Sequence, residues 1–96
     1  MACYVRSQSV VSRVIAGETL IIPVRKGVGD LASIYSLNQV ASCIWRAIEA
    51  PRNKEEIIDS LEIEFLGERQ QMERDVETFL VEMKAAGLVS EAGAAA

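Results

Sequence analysis

Histidine is absent from this sequence. Its absence removes imidazole acid–base chemistry, His-activated serine or cysteine nucleophiles, and the usual zinc and non-haem iron ligand sets. Cysteine is nearly as scarce. Cys3 and Cys43 are the only two among 96 residues, far apart and with no CxxC spacing. Two ordinary thiols in a reducing compartment are expected, with no disulfide, no bound metal and no cofactor. Long apolar runs are missing too: none reaches the roughly 18 residues needed to span a bilayer. The N-terminus has no basic stretch followed by an apolar one. A soluble, cytoplasmic chain with no membrane partner is the expectation. Basic charge is also in deficit, with ten Lys and Arg against fourteen Asp and Glu and a net charge of −4. The cations are scattered, so there is no basic stripe of the kind that displaces phosphate counterions, and nucleic acid is not expected as a partner.

What is present is globular composition: half the residues are apolar and a quarter are charged. The length suits one domain, taken as residues 1–91, followed by an Ala-rich flexible tail over 92–96. Val10–Ala16 and Thr19–Val24 are rich in β-branched residues and read as strands, with Gly17 and Glu18 allowing a tight hairpin between them. Pro23 lacks an amide donor and belongs near a strand end. Arg25–Ala32, with Gly27 and Gly29, reads as a loop. Ser33–Leu37 alternates polar and apolar residues, as a half-buried third strand does.

From Asn38 the period becomes helical. Asn38 is suited to cap a first helix with Val40, Ala41, Ile44, Trp45 and Ile48 on one stripe, ending before Pro51. Asn53 and Glu56 have the spacing of a capping box for a second helix with Ile57, Ile58, Leu61 and Phe65 inward. Gly67 interrupts. A third helix places Met72, Val76, Phe79, Leu80 and Met83 on one face and has Gly87 at its C-terminal end. Leu88-Val89 either returns to the sheet as a short strand or covers the core. Cys43 falls off the stripe of its helix and faces either solvent or another element. The fold class is therefore α+β, three N-terminal strands followed by three helices.

The run Tyr35-Ser36-Leu37-Asn38, then Ala41 and Ile44-Trp45, resembles the PqqD-like family of precursor-peptide recognition elements. The likeness continues through Ile57-Ile58, Leu61, Asp75-Val76, Phe79-Leu80 and Gly87-Leu88-Val89, and so spans Val10 to Val89. This resemblance implies a winged helix-turn-helix-like fold without a catalytic site. It also implies a chaperone role. Members bind the leader of a ribosomally made precursor peptide as an added strand beside the third helix, and present it to a modifying enzyme, often a radical-SAM enzyme. Any iron–sulfur chemistry would be the partner's, because two cysteines cannot supply a four-thiolate cluster.

The residues read by themselves suit that mechanism. An open strand edge offers N–H and C=O groups to an extended peptide, and alternate side chains set specificity. The peptide-binding residues expected are Ser33, Ile34, Tyr35, Ser36 and Leu37 on the strand, with Met72, Asp75, Val76 and Phe79 on the third helix. Ile34 or Tyr35 lines the groove according to which way the strand faces. Asp75, Thr78 and Glu82 form one margin of the helix and Arg69, Glu73 and Glu77 the other, and either margin can face the strand. An exposed edge also invites pairing between copies, which leaves a homodimer open.

The main alternative is a winged-helix transcriptional regulator, since the same helix arrangement serves DNA readers. Its reading helix would carry Glu68, Glu73, Asp75, Glu77 and Glu82 against Arg69, Arg74 and Lys84, a poor surface for a major groove. A small enzyme is disfavoured by the missing histidine and the lack of clustered nucleophiles.

Overall fold

The computed structural model describes residues 2–7, 10–23 and 34–92. Its elements run β1 (Cys3–Arg6), β2 (Val10–Ile15), β3 (Glu18–Pro23), β4 (Tyr35–Leu37), α1 (Gln39–Ala47), β5 (Arg52–Asn53), α2 (Lys54–Glu64), α3 (Arg69–Ala85) and β6 (Val89–Ala92). The strands form two antiparallel three-stranded sheets, ordered β5-β1-β6 and β2-β3-β4. The α+β class and the strands-then-helices order follow the sequence reading, with additions. β1 is a further strand before the helices, β5 a two-residue strand between α1 and α2, and Leu88-Val89 does lead into a strand. Of the expected third strand, Tyr35–Leu37 forms β4 and Ile34 stands just before it. Ser33, the Arg25–Ala32 loop and most of the Ala-rich tail lie outside the described residues.

The β2–β3 hairpin is fixed locally. Ile15 pairs with Glu18, leaving Ala16 and Gly17 as a two-residue loop. Both have positive φ, 54° and 82°, as a type I′ turn demands, because that turn matches the twist of the strands it joins. Gly17 adopts this freely, whereas alanine is strained there. Ala16→Asn, which supplies the residue type this position favours, is expected to stabilise the domain by about 0.5–1 kcal/mol. A thermal melt checks it. A melting temperature that is unchanged or lower would show the turn is not under strain.

Period-two alternation seats this sheet on the helices. Thr19, Ile21 and Leu37 are buried, and Tyr35 packs against the same core, while Val11, Ile15 and Ile34 are exposed. The helices begin and end where their caps dictate. Asn38 Oδ1 accepts from the Ala41 N–H at 2.8 Å. Asn53 and Glu56 close a full capping box, with bonds of 2.9 and 3.0 Å. At the far end of α3, Gly87 donates to Lys84 O and Leu88 to Met83 O, with Gly87 at φ 77°. This is a Schellman motif, and it turns the chain so that Leu88, fully buried, enters the core and β6 follows. The core itself lies between the three helices and the two sheets, with Trp45, Ile21, Ile44, Ile57, Leu61, Val76 and Leu88 almost wholly out of solvent. No helix among the described residues is long and apolar enough to cross a membrane.

Candidate peptide groove

β4 pairs with β3 through Thr19↔Leu37, Leu20↔Ser36 and Ile21↔Tyr35. Among the described residues no strand pairs with its other side, so β4 is the edge of its sheet. It runs directly into Asn38 and α1. The Ser42 hydroxyl, buried, donates back to the Leu37 carbonyl at 3.3 Å, and the Ser42 N–H donates to the Asn38 carbonyl at 2.8 Å. The end of the strand is thus tied to the first turn of the helix, which holds the edge in a defined place.

Where β4 ends, a hollow of about 300 Å³ opens between α1 and α3. One wall is Asn38, Val40, Ala41 and Ile44, and the other is Asp75, Thr78, Phe79 and Glu82. A second hollow of about 160 Å³ continues it toward the α2–α3 turn, sharing Val40 and Asp75 and adding Leu61, Phe65, Leu66 and Met72. Leu66 is fully exposed at its lip. Together the two make a groove with an apolar floor.

Of the two margins of α3, the one carrying Asp75, Thr78 and Glu82 faces α1 and the groove. The other belongs to α2: Arg69 reaches Asp59 at 3.0 Å and also Glu62, and Lys54 pairs with Glu77. The expected site residues therefore separate. Met72, Asp75 and Phe79 line the hollows. Val76 is fully buried and lines neither. Tyr35 and Leu37 turn toward the core, whereas Ile34 and Ser36 face outward. The wall contributed by α1 was not singled out as a binding surface in the sequence. Its signal was the short distance between the strand end and the stripe residues Val40, Ala41 and Ile44.

Cys43 is buried rather than exposed, its Sγ 3.8 Å from the Ser60 carbonyl of α2. Burial, reinforced by Glu64, pushes its thiol up to about 11. It is a packing residue held as the neutral thiol, and it lies apart from the groove.

The PqqD family model, described as coenzyme PQQ synthesis protein D, matches residues 20–89. Among solved structures, TbiB1 in complex with the TbiA(beta) leader peptide is similar, at 29% identity with a TM-score of 0.75. The match covers 96% of this chain and 99% of that one. Lasso peptide synthetase B1, complexed with the leader peptide, shares the fold at 17% identity and a TM-score of 0.73, over 91% and 96% of the two chains. No curated protein sequence gives a significant match. With 70 of its residues, 20 through 89, matched by the family model and the fold shared from end to end with TbiB1, this chain belongs to the PqqD family.

Proposed function

We propose that the chain is a non-catalytic adaptor that holds the leader of a ribosomally made precursor peptide and presents it to a modifying enzyme. The observation that carries this is the juxtaposition of an edge strand and an apolar groove, with Asn38 at their junction. Backbone groups of β4 supply sequence-independent hydrogen bonds, and the groove selects the side chains that point into it. That TbiB1, similar over nearly its whole length, was solved with a leader peptide supports the same role here. Ile34, Tyr35, Ser36 and Leu37 would hold the peptide main chain. Ser33 belongs to the same proposal on the sequence reading alone. Met72, Asp75 and Phe79 would meet its side chains from α3, and Val76 would support them from beneath. The enzyme served would be of the radical-SAM class, working in the cytoplasm.

The groove also weighs against the DNA-binding alternative, since the face of α3 left accessible beside α1 carries Asp75 and Glu82. The test is hydrogen exchange on the full chain with and without the synthetic leader of the precursor peptide it would serve. Protection is expected to rise in Ile34–Leu37 and along the groove face of α3. Binding without added protection at β4 would count against strand addition. Absence of binding would count against the adaptor role.

A further inference from the structure

The charges around α3 are unevenly paired. Lys54 is engaged by Glu77, Arg69 by Asp59, Glu62 and Glu73, Lys84 by Glu91 at 2.8 Å, and Arg46 by Glu64 at 2.9 Å. The remaining cation of α3, Arg74, lines a neighbouring surface hollow with Gln70, Glu73, Glu77 and Thr78, and of these only Thr78 also lines the groove. The groove, by contrast, carries Asp75 and Glu82 along the α3 wall and Glu68 at its far end. Asp75 accepts a bond from Gln71 at 3.0 Å, but no lysine or arginine among the described residues pairs with Asp75, Glu82 or Glu68. Among the described residues, therefore, the carboxylates on the α2 side of α3 are neutralised and those on the α1 side, over an apolar floor, have no basic partner.

We infer that the occupant of this groove is a cationic extended peptide, with lysine or arginine on the side of the added strand that faces α3. The inference rests on the peptide-binding reading above and specifies its substrate class. Asp75 and Glu82 are seven residues apart, so about 10 Å separates them along the helix. Alternate residues of an extended strand recur every ~6.6 Å. Two cations placed two or four positions apart, on long flexible arms, therefore reach both carboxylates while the intervening apolar side chains enter the hollows. An acidic leader would instead meet like charge across a partly desolvated cleft, which disfavours it.

The probe is a displayed library of short random peptides, selected on the immobilised full chain at low salt. Enriched sequences are then synthesised and measured by fluorescence anisotropy. Lysine and arginine are expected to be enriched over aspartate and glutamate. The double variant Asp75→Asn/Glu82→Gln should bind the selected peptides about tenfold more weakly, a gap that closes as salt is raised. Glu73→Gln, on the opposite margin, should leave them unaffected. Thr78→Trp fills the hollow from an exposed position and separates the two levels of the reading. Peptides blocked by Thr78→Trp but indifferent to the double variant would overturn the charge inference alone, as would selection of neutral or acidic peptides. Peptides indifferent to Thr78→Trp, or no enrichment at all, would overturn the groove reading on which it stands.

Discussion

Trp45→Ala is expected to lower the melting temperature by roughly 12–40 °C, from a stability loss of about 3–5 kcal/mol. The side chain is 1% exposed and is the largest of those fully enclosed in the core. It also organises what crosses it. The Arg6 guanidinium lies 4.9 Å from the centre of its ring, and Arg6 Nε donates to the Trp45 carbonyl at 2.8 Å. Burial lowers the pKa of Arg6, with Glu49 opposing, yet an arginine stays charged at any physiological pH. The ring thus supports β1 as well as the helices, and its removal leaves a cavity beneath a half-buried cation. For a domain whose whole stability is about 5–10 kcal/mol, that is a large fraction.

A second variant separates packing from the indole's polar atom. Trp45 Nε1 is buried with no acceptor among the described residues, a state that itself costs about 1–3 kcal/mol. Trp45→Phe forfeits volume but removes that penalty, so a milder loss of about 1–2 kcal/mol is expected. Chemical denaturation of the three proteins gives the comparison. If Trp45→Ala melts within a few degrees of the unsubstituted chain, Trp45 is not a core anchor. If Trp45→Phe is as damaging as Trp45→Ala, the indole N–H has a partner that matters.

What could be read in advance divides along the distance over which each interaction acts. The caps at Asn38 and Asn53 and the Gly87 motif depend on residues within five positions of one another, and sequence spacing exposes them. The hairpin was legible too, but its turn, read at Gly17 and Glu18, lies one residue earlier at Ala16 and Gly17. The stripes of α1, α2 and α3 were legible for the same reason. β1 was not. Cys3–Arg6 is four residues long with no strong alternation, and its partners are β6, more than eighty positions away, and β5. Its other ties, Arg6 N–H to the Ile48 carbonyl and Ser7 N–H to the Leu88 carbonyl, are equally remote. The environment of Cys43 was hidden by the same non-locality. A residue off the main stripe of α1 is still buried because α2 covers that flank and brings Ser60 to it. In the groove, the α3 wall could be read from helical spacing. Which margin faced α1 and the groove depended on α2 claiming the other through Arg69 and Lys54, a choice no single helix encodes.

Proline placed in the edge strand is expected to abolish most leader binding in a chain that still folds. Main-chain hydrogen bonds and amide direction alternate along a strand, so Ile34 and Ser36 point their N–H groups to one side and Tyr35 and Leu37 to the other. Only one of these sets faces β3. Proline in the set that faces away removes a donor offered to the peptide and leaves the β3–β4 ladder intact, whereas proline in the other set breaks the ladder itself. The melt therefore identifies which set is which before any peptide is added. Ile34→Pro and Ser36→Pro form one test and Tyr35→Pro its complement. The variants that keep their melting temperature should bind the leader at least about tenfold more weakly, the loss of one main-chain bond plus the steric cost of the ring where the strand must approach. Calorimetry with the synthetic leader provides the affinity. The side-chain contribution is separable, because Ser36→Ala alters no backbone group and should bind as the unsubstituted chain does. Equal affinity in a folded proline variant whose substituted amide faces away from β3 would mean that the peptide does not add to β4. The groove between α1 and α3 would then have to hold it by side-chain contacts alone.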